Sequence, residues 1–315
     1  MLVKKMDQAN NHQDMVPVIS VVIPIYNMEL YIDEAIQSVL KQTFLDFELV
    51  LVDNASTDNT QQIISSYSNN PKIRIVINAR NLGMAQNWNK CLYHAKGKYI
   101  KFLNADDLLE ETALETLGAI LDKHPEISLA TSHYELFGID NQIQYAKMIG
   151  KVDGRKAIVD TIQTNNWIGC PSQVIFRRDD LYVGFFNISS TWWSDMDLWY
   201  RLLTIGDLFV VDKVLSKNRS HLNQISNQFG NHKSLISQHA FMKVLNQSDQ
   251  FVFCKEVLNE QIRKLGFIMY YEGFINLLRG NSISGLHLLK QSGYALISLQ
   301  LFKIPFYYLN KKREK

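Results

Sequence analysis

Tyr99–Asp107 reads YIKFLNADD. Five mostly apolar residues run straight into Asn104-Ala105-Asp106-Asp107, the pattern of a buried strand that delivers carboxylates to the mouth of a pocket. Carboxylates placed there suit a hard divalent cation, and such a cation suits phosphate. Three runs upstream repeat the strand theme: Val18–Ile23 (VISVVI), Phe47–Val52 (FELVLV) and Ile73–Ile77 (IRIVI). They are continuous rather than alternating, so they read as strands buried on both faces. Helical patterns lie between them. Glu29–Lys41 places Ile32, Ala35, Ile36, Val39 and Leu40 on one face. Thr57 or Asp58 can cap a helix through Tyr67, with Ile63, Ile64 and Tyr67 inward. Gly83–His94 and Leu108–Leu121 supply two more. Alternating strand and helix predicts an α/β fold with a largely parallel sheet.

The rhythm changes after Ile127. Ile127–Phe137 and Ile143–Tyr145 flank Ile139-Asp140-Asn141-Gln142 as a hairpin. Gly154–Thr164 reads as a helix, Gln173–Phe176 as a short strand, and Asp195–Ile205 as a helix with Leu198, Trp199, Leu202 and Leu203 on its apolar side. Leu208–Leu215 is β-like, and from about residue 232 the chain reads as helices only. The division expected is a polar leader at 1–16, an α/β domain at 17–231 whose halves meet near 110, and a helical extension at 232–315.

Composition sets bounds. The chain has 315 residues, 46% hydrophobic and 20% charged, enough for an ordinary core. A formal net charge of +2 gives no case for nucleic-acid binding. The charge is uneven: residues 261–315 hold nine Lys or Arg against two acids, which leaves the remainder net negative. Cys91, Cys170 and Cys254 are isolated and lack metal-ligand spacing, which suits a reducing cytosol. The first seventeen residues have no apolar core of the signal-peptide kind, and no uncharged apolar run reaches the ~18–20 residues of a spanning helix. The longest candidate, Gln291–Phe302, is bounded by Lys290 and Lys303. These features place the protein in the cytoplasm.

Open α/β sheets bind ligands at the carboxyl ends of their parallel strands. Three strands here end in polar clusters: Pro24-Ile25-Tyr26-Asn27, Asp53-Asn54-Ala55-Ser56-Thr57-Asp58, and Asn104-Ala105-Asp106-Asp107. Taken singly they are turn residues and helix caps; at one sheet edge they make a shared site. Asp53, just past a buried strand, can accept the ring N–H of a base such as uracil, thymine or guanine. Asp106, with Asn104 or Asp107, could hold Mg²⁺ or Mn²⁺ bridging a diphosphate. The chain has no GxGxxG and no GxxxxGK[ST], so a phosphate cradle of those types is not the mechanism.

VVIPIYN, VDNASTDNT and NLGMAQNWNKCLYHAKGKYIKFLNADD, in this order and spacing, resemble the family 2 glycosyltransferases of GT-A fold, across about residues 18–225. The resemblance implies a GT-A, Rossmann-like central sheet and an inverting transfer of a sugar from a nucleoside diphosphate sugar, a UDP-sugar, to an acceptor hydroxyl. It implies Mn²⁺ or Mg²⁺ as cofactor, and a carbohydrate or lipid-linked saccharide as acceptor in cell-surface polysaccharide synthesis. The family's Asp-x-Asp metal motif falls on Asn104-Ala105-Asp106, so its first position is Asn here. Asn keeps a neutral oxygen ligand, or a donor to ribose, but removes one charge. Asn81, Gly83 and Asn87 resemble the block that shapes the donor pocket. Ser194-Asp195-Met196-Asp197-Leu198-Trp199-Tyr200-Arg201 resembles the family's acid-Asp-x-Asp-Leu-Trp-x-Arg element. By itself Asp195 reads as a helix cap; the resemblance makes it the general base and leaves Asp197 structural. Arg219-Ser220-His221 is similar to an Arg-x-His element near the end of many family catalytic domains, whose cation and imidazole could meet the diphosphate or the metal. Trp192 and Trp193 would border the acceptor, with one of them exposed.

Two further readings concern the ends and the alternatives. Phe267–Leu278 and Ile283–Leu301 are amphipathic, and Lys311–Lys315 closes the chain with four basic residues. This suits peripheral docking on the anionic inner face of a membrane, or a helical cap or homodimer contact. An inactive nucleotide-sugar-binding protein has Asn104 as its only support. A nucleotidyltransferase is disfavoured, because no Gly-rich, Lys/Arg-bearing loop follows the first strand.

Overall fold

The computed structural model of the chain describes residues 16–189, 192–222 and 231–293. It divides into two units, the first ending at Asn227 and the second beginning at Gln228. The expected leader and Lys311–Lys315 lie outside the described residues.

The first unit is built on one sheet. Its parallel part has the order β3 (Ile73–Ile77), β2 (Phe47–Asp53), β1 (Ile19–Ile25), β4 (Tyr99–Phe102). Strand β1 exposes almost nothing and β4 nothing, as continuous β-branched and aromatic runs require. On one face, Ile19, Val21, Ile23, Leu49 and Leu51 pack under α1 (Ile32–Leu40) and α4 (Ala113–Lys123). On the other lies α3 (Met84–His94), with Ala85, Trp88, Cys91 and Leu92 turned inward. The α3–β4 turn runs so close to β1 that a Cβ on Gly97 would lie 2.5 Å from Ser20 N. There the Ser20 hydroxyl accepts from Lys96 N and Gly97 N.

The sheet continues through antiparallel β9 (Ile175–Arg177) to β6 (Ile127–Gly138) and β10 (Asp207–Ser220), the last two parallel to each other. β7 (Gln142–Gln144) folds back on β6 as the expected hairpin, with Leu136 opposite Gln142. Two strands were not expected. β8 (Gly150–Val152) pairs with the start of β10, and β5 (Leu108–Leu109) pairs with its end at Ser216 and Lys217. Helices α2 (Thr60–Ser65), α5 (Gly154–Gln163) and α6 (Ser194–Leu203) complete the unit.

Helix was expected from Leu108, yet α4 starts at Ala113. The intervening backbone bonds instead to distant partners: Leu109 N donates to Ser38 Oγ and Glu110 N to Leu215 O. Gln42 Oε1 accepts from Leu114 N, so the helix receives its cap from a residue seventy-two positions away. β10 runs to Ser220 with three register shifts against β6, so Arg219 lies within the strand rather than beyond it.

The second unit is helical as expected: α7 (Asn231–Gln247), α8 (Lys255–Leu278) and α9 (Ser282–Ser292). Its buried side chains include Phe241, Leu245, Leu258, Met269 and Leu288. Among the described residues, no helix is long and apolar enough to cross a membrane.

Candidate active site

A cavity of about 640 Å³ opens where β1, β2 and β4 end. Pro24, Tyr26, Asn54, Asn81, Gly83, Asn87, Asn104, Ala105 and Asp106 form one wall. Asn166, Cys170, Pro171, Trp192, Trp193, Asp195, Met196 and His221 complete it. Most of the residues expected from sequence therefore meet at one place. Three do not line it: Asn27, Asp53 and Asp107.

The two loops at the ends of β1 and β2 brace each other. Asn27 and Ala55 adopt left-handed backbone, φ +53° and +59°, uncommon for residues with a Cβ. Asn27 N donates to Ser56 Oγ at 2.8 Å, and Asn27 Oδ1 accepts from Thr57 N at 2.8 Å. Asp53 is fully buried. Its carboxylate accepts from Ser56 Oγ at 2.5 Å, Ser56 N at 3.1 Å and Gln61 Nε2 at 2.8 Å. These three donors take three of the roughly four acceptor sites of a carboxylate.

A chain of amides backs the donor wall. Asn87 Nδ2 donates to Val52 O, and Asn87 Oδ1 accepts from Asn78 Nδ2 at 2.8 Å. Asn78 Nδ2 also reaches Asn54 Oδ1, and Asn54 Nδ2 donates to Asn81 Oδ1 at 2.9 Å. Gly83, at φ +84° and ψ 165°, turns the chain into α3 and donates its N–H to Asn81 Oδ1. Asn81, Gly83 and Asn87, expected from sequence, line the cavity with Asn54, which the sequence places in the second polar cluster without a role of its own. Asn78 was not expected, although it directly follows the third strand.

Asp106 and His221 are brought together from 115 positions apart, with His221 Nε2 3.1 Å from Asp106 Oδ2. The pairing of β5 with β10 does this. Arg219 reinforces it by donating Nε to the Asp106 carbonyl while pairing with Glu34 at 2.5 Å. Two donor atoms bound at right angles about 2.1 Å from one ion lie about 3 Å apart, so this carboxylate and imidazole fit as adjacent ligands of a small divalent cation. Among the described residues there is no cluster of three or more His, Cys, Asp or Glu suited to a metal. An ion here would therefore draw further oxygens from a diphosphate and water, the usual habit of Mg²⁺.

Asp107 faces inward. Burial, and then Asp106, push its carboxyl up to about 7 against the donors that hold it. Lys101 on β4 is buried beneath it, drawn down to about 7 by burial. Cys170, which sequence reasoning left without a role, lines the cavity; burial and Asp107 push its thiol up to about 12, so it stays protonated.

Asp195 opens α6 on the other wall. Burial raises its carboxyl to about 6, only partly offset by the Met196 N–H that Oδ1 accepts at 2.8 Å. A carboxylate with few bonds and little solvent is a stronger base than an exposed one, and at neutral pH it is still ionised. Trp192 and Trp193 flank it, both half-buried. Asp197 is not among the cavity residues; its Oδ2 accepts from both Arg201 Nε at 3.1 Å and Arg201 Nη2 at 2.7 Å. Beneath the site, Trp88, Phe102, Phe186 and Trp199 pack edge to face, Phe176 stacks on Phe102 and tilts against Trp199, and Asn89 ties α3 to Phe186 through two backbone bonds of 2.9 Å.

A cleft of this size at the strand ends of an α/β sheet, lined by an acid–imidazole pair and by a carboxylate raised by burial, suits a glycosyltransferase of GT-A type. Residues 20–185 match the family described as Glycosyl transferase family 2, and the chain belongs to it. It is 32% identical over 216 residues to an uncharacterized protein of Mycobacterium tuberculosis, covering 64% of this chain and 67% of that one. It is 31% identical to a putative teichuronic acid biosynthesis glycosyltransferase, TuaG, of Bacillus subtilis, covering 67% of this chain and 82% of that one. The chain spans only 36% and 42% of the lengths of two further curated relatives. The S. aureus TarS 1–349 structure in complex with UDP-GlcNAc shares the fold at TM-score 0.63 and 21% identity, covering 78% of this chain and 71% of that one.

Proposed function

We propose that this glycosyltransferase moves a sugar from a UDP-sugar to an acceptor hydroxyl with inversion, in the synthesis of a cell-surface polysaccharide. The observation that carries this reading is that one cavity is lined both by the Asp106–His221 pair and by Asp195. The UDP-GlcNAc complex of TarS and the biosynthetic name of TuaG support the donor class and the product class.

The base and ribose lie against Pro24, Tyr26 and the amide wall. Asp106 and His221 would hold Mn²⁺ or Mg²⁺, and such an ion would supply positive charge to the departing diphosphate. Trp192 and Trp193 offer aromatic faces to the acceptor ring. Asp195 takes the proton of the acceptor hydroxyl as that oxygen bonds to the anomeric carbon and the bond to the diphosphate breaks on the opposite face. A lipid-linked acceptor would bring the enzyme to the membrane, with the basic C-terminal segment as its contact.

The test is release of UDP from a panel of UDP-sugars with Mn²⁺, comparing wild type with Asp195→Asn. The expected outcome is turnover in wild type, and donor binding without turnover in the variant. Full activity of Asp195→Asn removes that residue from the role, and silence of the wild type toward every donor and acceptor removes the function.

A further inference from the structure

Asp107 neighbours the cavity but faces into the protein, only 3% exposed. Its Oδ2 accepts from Ser172 Oγ at 2.5 Å and from Asn104 Nδ2 at 3.1 Å; its Oδ1 accepts from Arg219 N at 2.9 Å. The three donors come from three segments: the loop after β4, the turn before β9, and the end of β10. Ser172 Oγ also accepts from Asn104 N at 3.0 Å, so the one hydroxyl serves both sides of the junction. From beneath, the Lys101 ammonium donates to the carbonyls of Ser172 and Val174. Those same three segments carry Asp106, the Cys170-Pro171 wall, and His221.

We propose that Asp107 is not a ligand of the cation but a positioning residue. Its carboxylate, with Ser172 and Lys101, clasps three segments and thereby sets the spacing of Asp106 and His221. The inference rests on the metal-dependent reading above. A carboxylate suits the place because all three partners are donors; an amide would turn an NH₂ group toward at least one of them. The clasp also accounts for Asn104 at the first position of the metal motif. Its Nδ2 is a donor to Asp107, and an aspartate there would set two carboxylates face to face at about the same distance.

The test is calorimetric titration of Mn²⁺ into the full chain with saturating UDP, for wild type, Ser172→Ala, Asp107→Asn and the double variant. Ser172→Ala removes no ligand of the ion, yet it should weaken Mn²⁺ binding about 10- to 100-fold, the usual cost of losing a group that orients a ligand. Asp107→Asn should lose about as much, and the double variant no more than the worse single, since both act through one junction. UDP affinity without metal should stay unchanged. The proposal is overturned if Ser172→Ala binds Mn²⁺ like wild type, whether Asp107→Asn loses affinity or keeps it. A wild type that binds UDP but no Mn²⁺ overturns the metal-dependent reading, and the proposal with it. Where Ser172→Ala does not fold, Asn104→Asp decides. The clasp requires weaker Mn²⁺ binding in that variant, whereas an ion held directly by residues 104–107 would bind tighter to the added carboxylate.

Discussion

The two walls of the cavity are built in opposite ways. On one side, Asn54, Asn78, Asn81 and Asn87 bond to one another and to backbone, and Asp53 bonds to Ser56 and Gln61. On the other, Asp195 sits at the start of a helix, just after two half-buried tryptophans, and its carboxylate is held by backbone N–H groups of Met196 and of its own residue. The same residue type titrates differently as a result. Asp58 is far less deeply buried, and bonds from Thr60 and Glu29 outweigh its desolvation, so its carboxyl falls below the ordinary range. At Asp195 desolvation wins and the carboxyl rises to about 6. A saturated wall holds its shape for a ligand, whereas an under-bonded carboxylate keeps basicity for a proton.

The sharpest way to break this contrast is Asp195→Asn. It should cut transfer about 10²- to 10⁴-fold, the worth of a placed general base, with donor affinity retained. Single-turnover rates beside calorimetric UDP-sugar binding check both halves. On the opposite wall, Asn87→Ala should act on stability first. It removes two buried bonds, Asn78 to Asn87 and Asn87 to the Val52 carbonyl, at about 0.5–1.5 kcal/mol each. Urea unfolding reads that loss. Gly83→Ala should cost about 1–3 kcal/mol by backbone conformation alone, because open space surrounds the position a Cβ would take.

The smallest effect is a pH dependence. The native carboxyl of Asp195, at about 6, binds its proton more tightly than the unfolded one at 3.8. Its contribution to stability is therefore greatest at low pH and declines as pH rises from about 4 to about 6. Asp195→Asn should raise Tm at pH 7.5 and lose that advantage near pH 4. The wild-type kcat/KM should climb through about pH 6. A Tm difference that does not change with pH would show that desolvation is not what sets this group.

The donor wall was legible in sequence because its parts are contiguous blocks. Each strand runs into its own polar cluster, so Pro24, Asp53 and Asp106 announce one edge. What those residues do there was less legible. Asp53 and Asp107 look like site residues in a string of letters, and only the partners Gln61, Ser172 and Arg219 reveal that they face inward. The rest of the lining includes Asn166, Cys170 and Pro171, which sit in a loop with no periodicity. β5 and β8 depend wholly on a partner strand a hundred or more, and some sixty, residues away. No local pattern encodes such pairing.

The amide chain behind the donor wall radiates from Asn78. Its Nδ2 donates both ways, to Asn87 Oδ1, whose own amide donates to the Val52 carbonyl, and to Asn54 Oδ1, whose amide donates to Asn81 Oδ1. Two backbone N–H groups, which can only donate, fix the outer members: Leu82 N meets Asn54 Oδ1 and Gly83 N meets Asn81 Oδ1. Half a turn of either amide would set an NH₂ group against an N–H. The oxygen of Asn81 is thus committed to the protein, and its own loop dictates how this residue stands at the cavity.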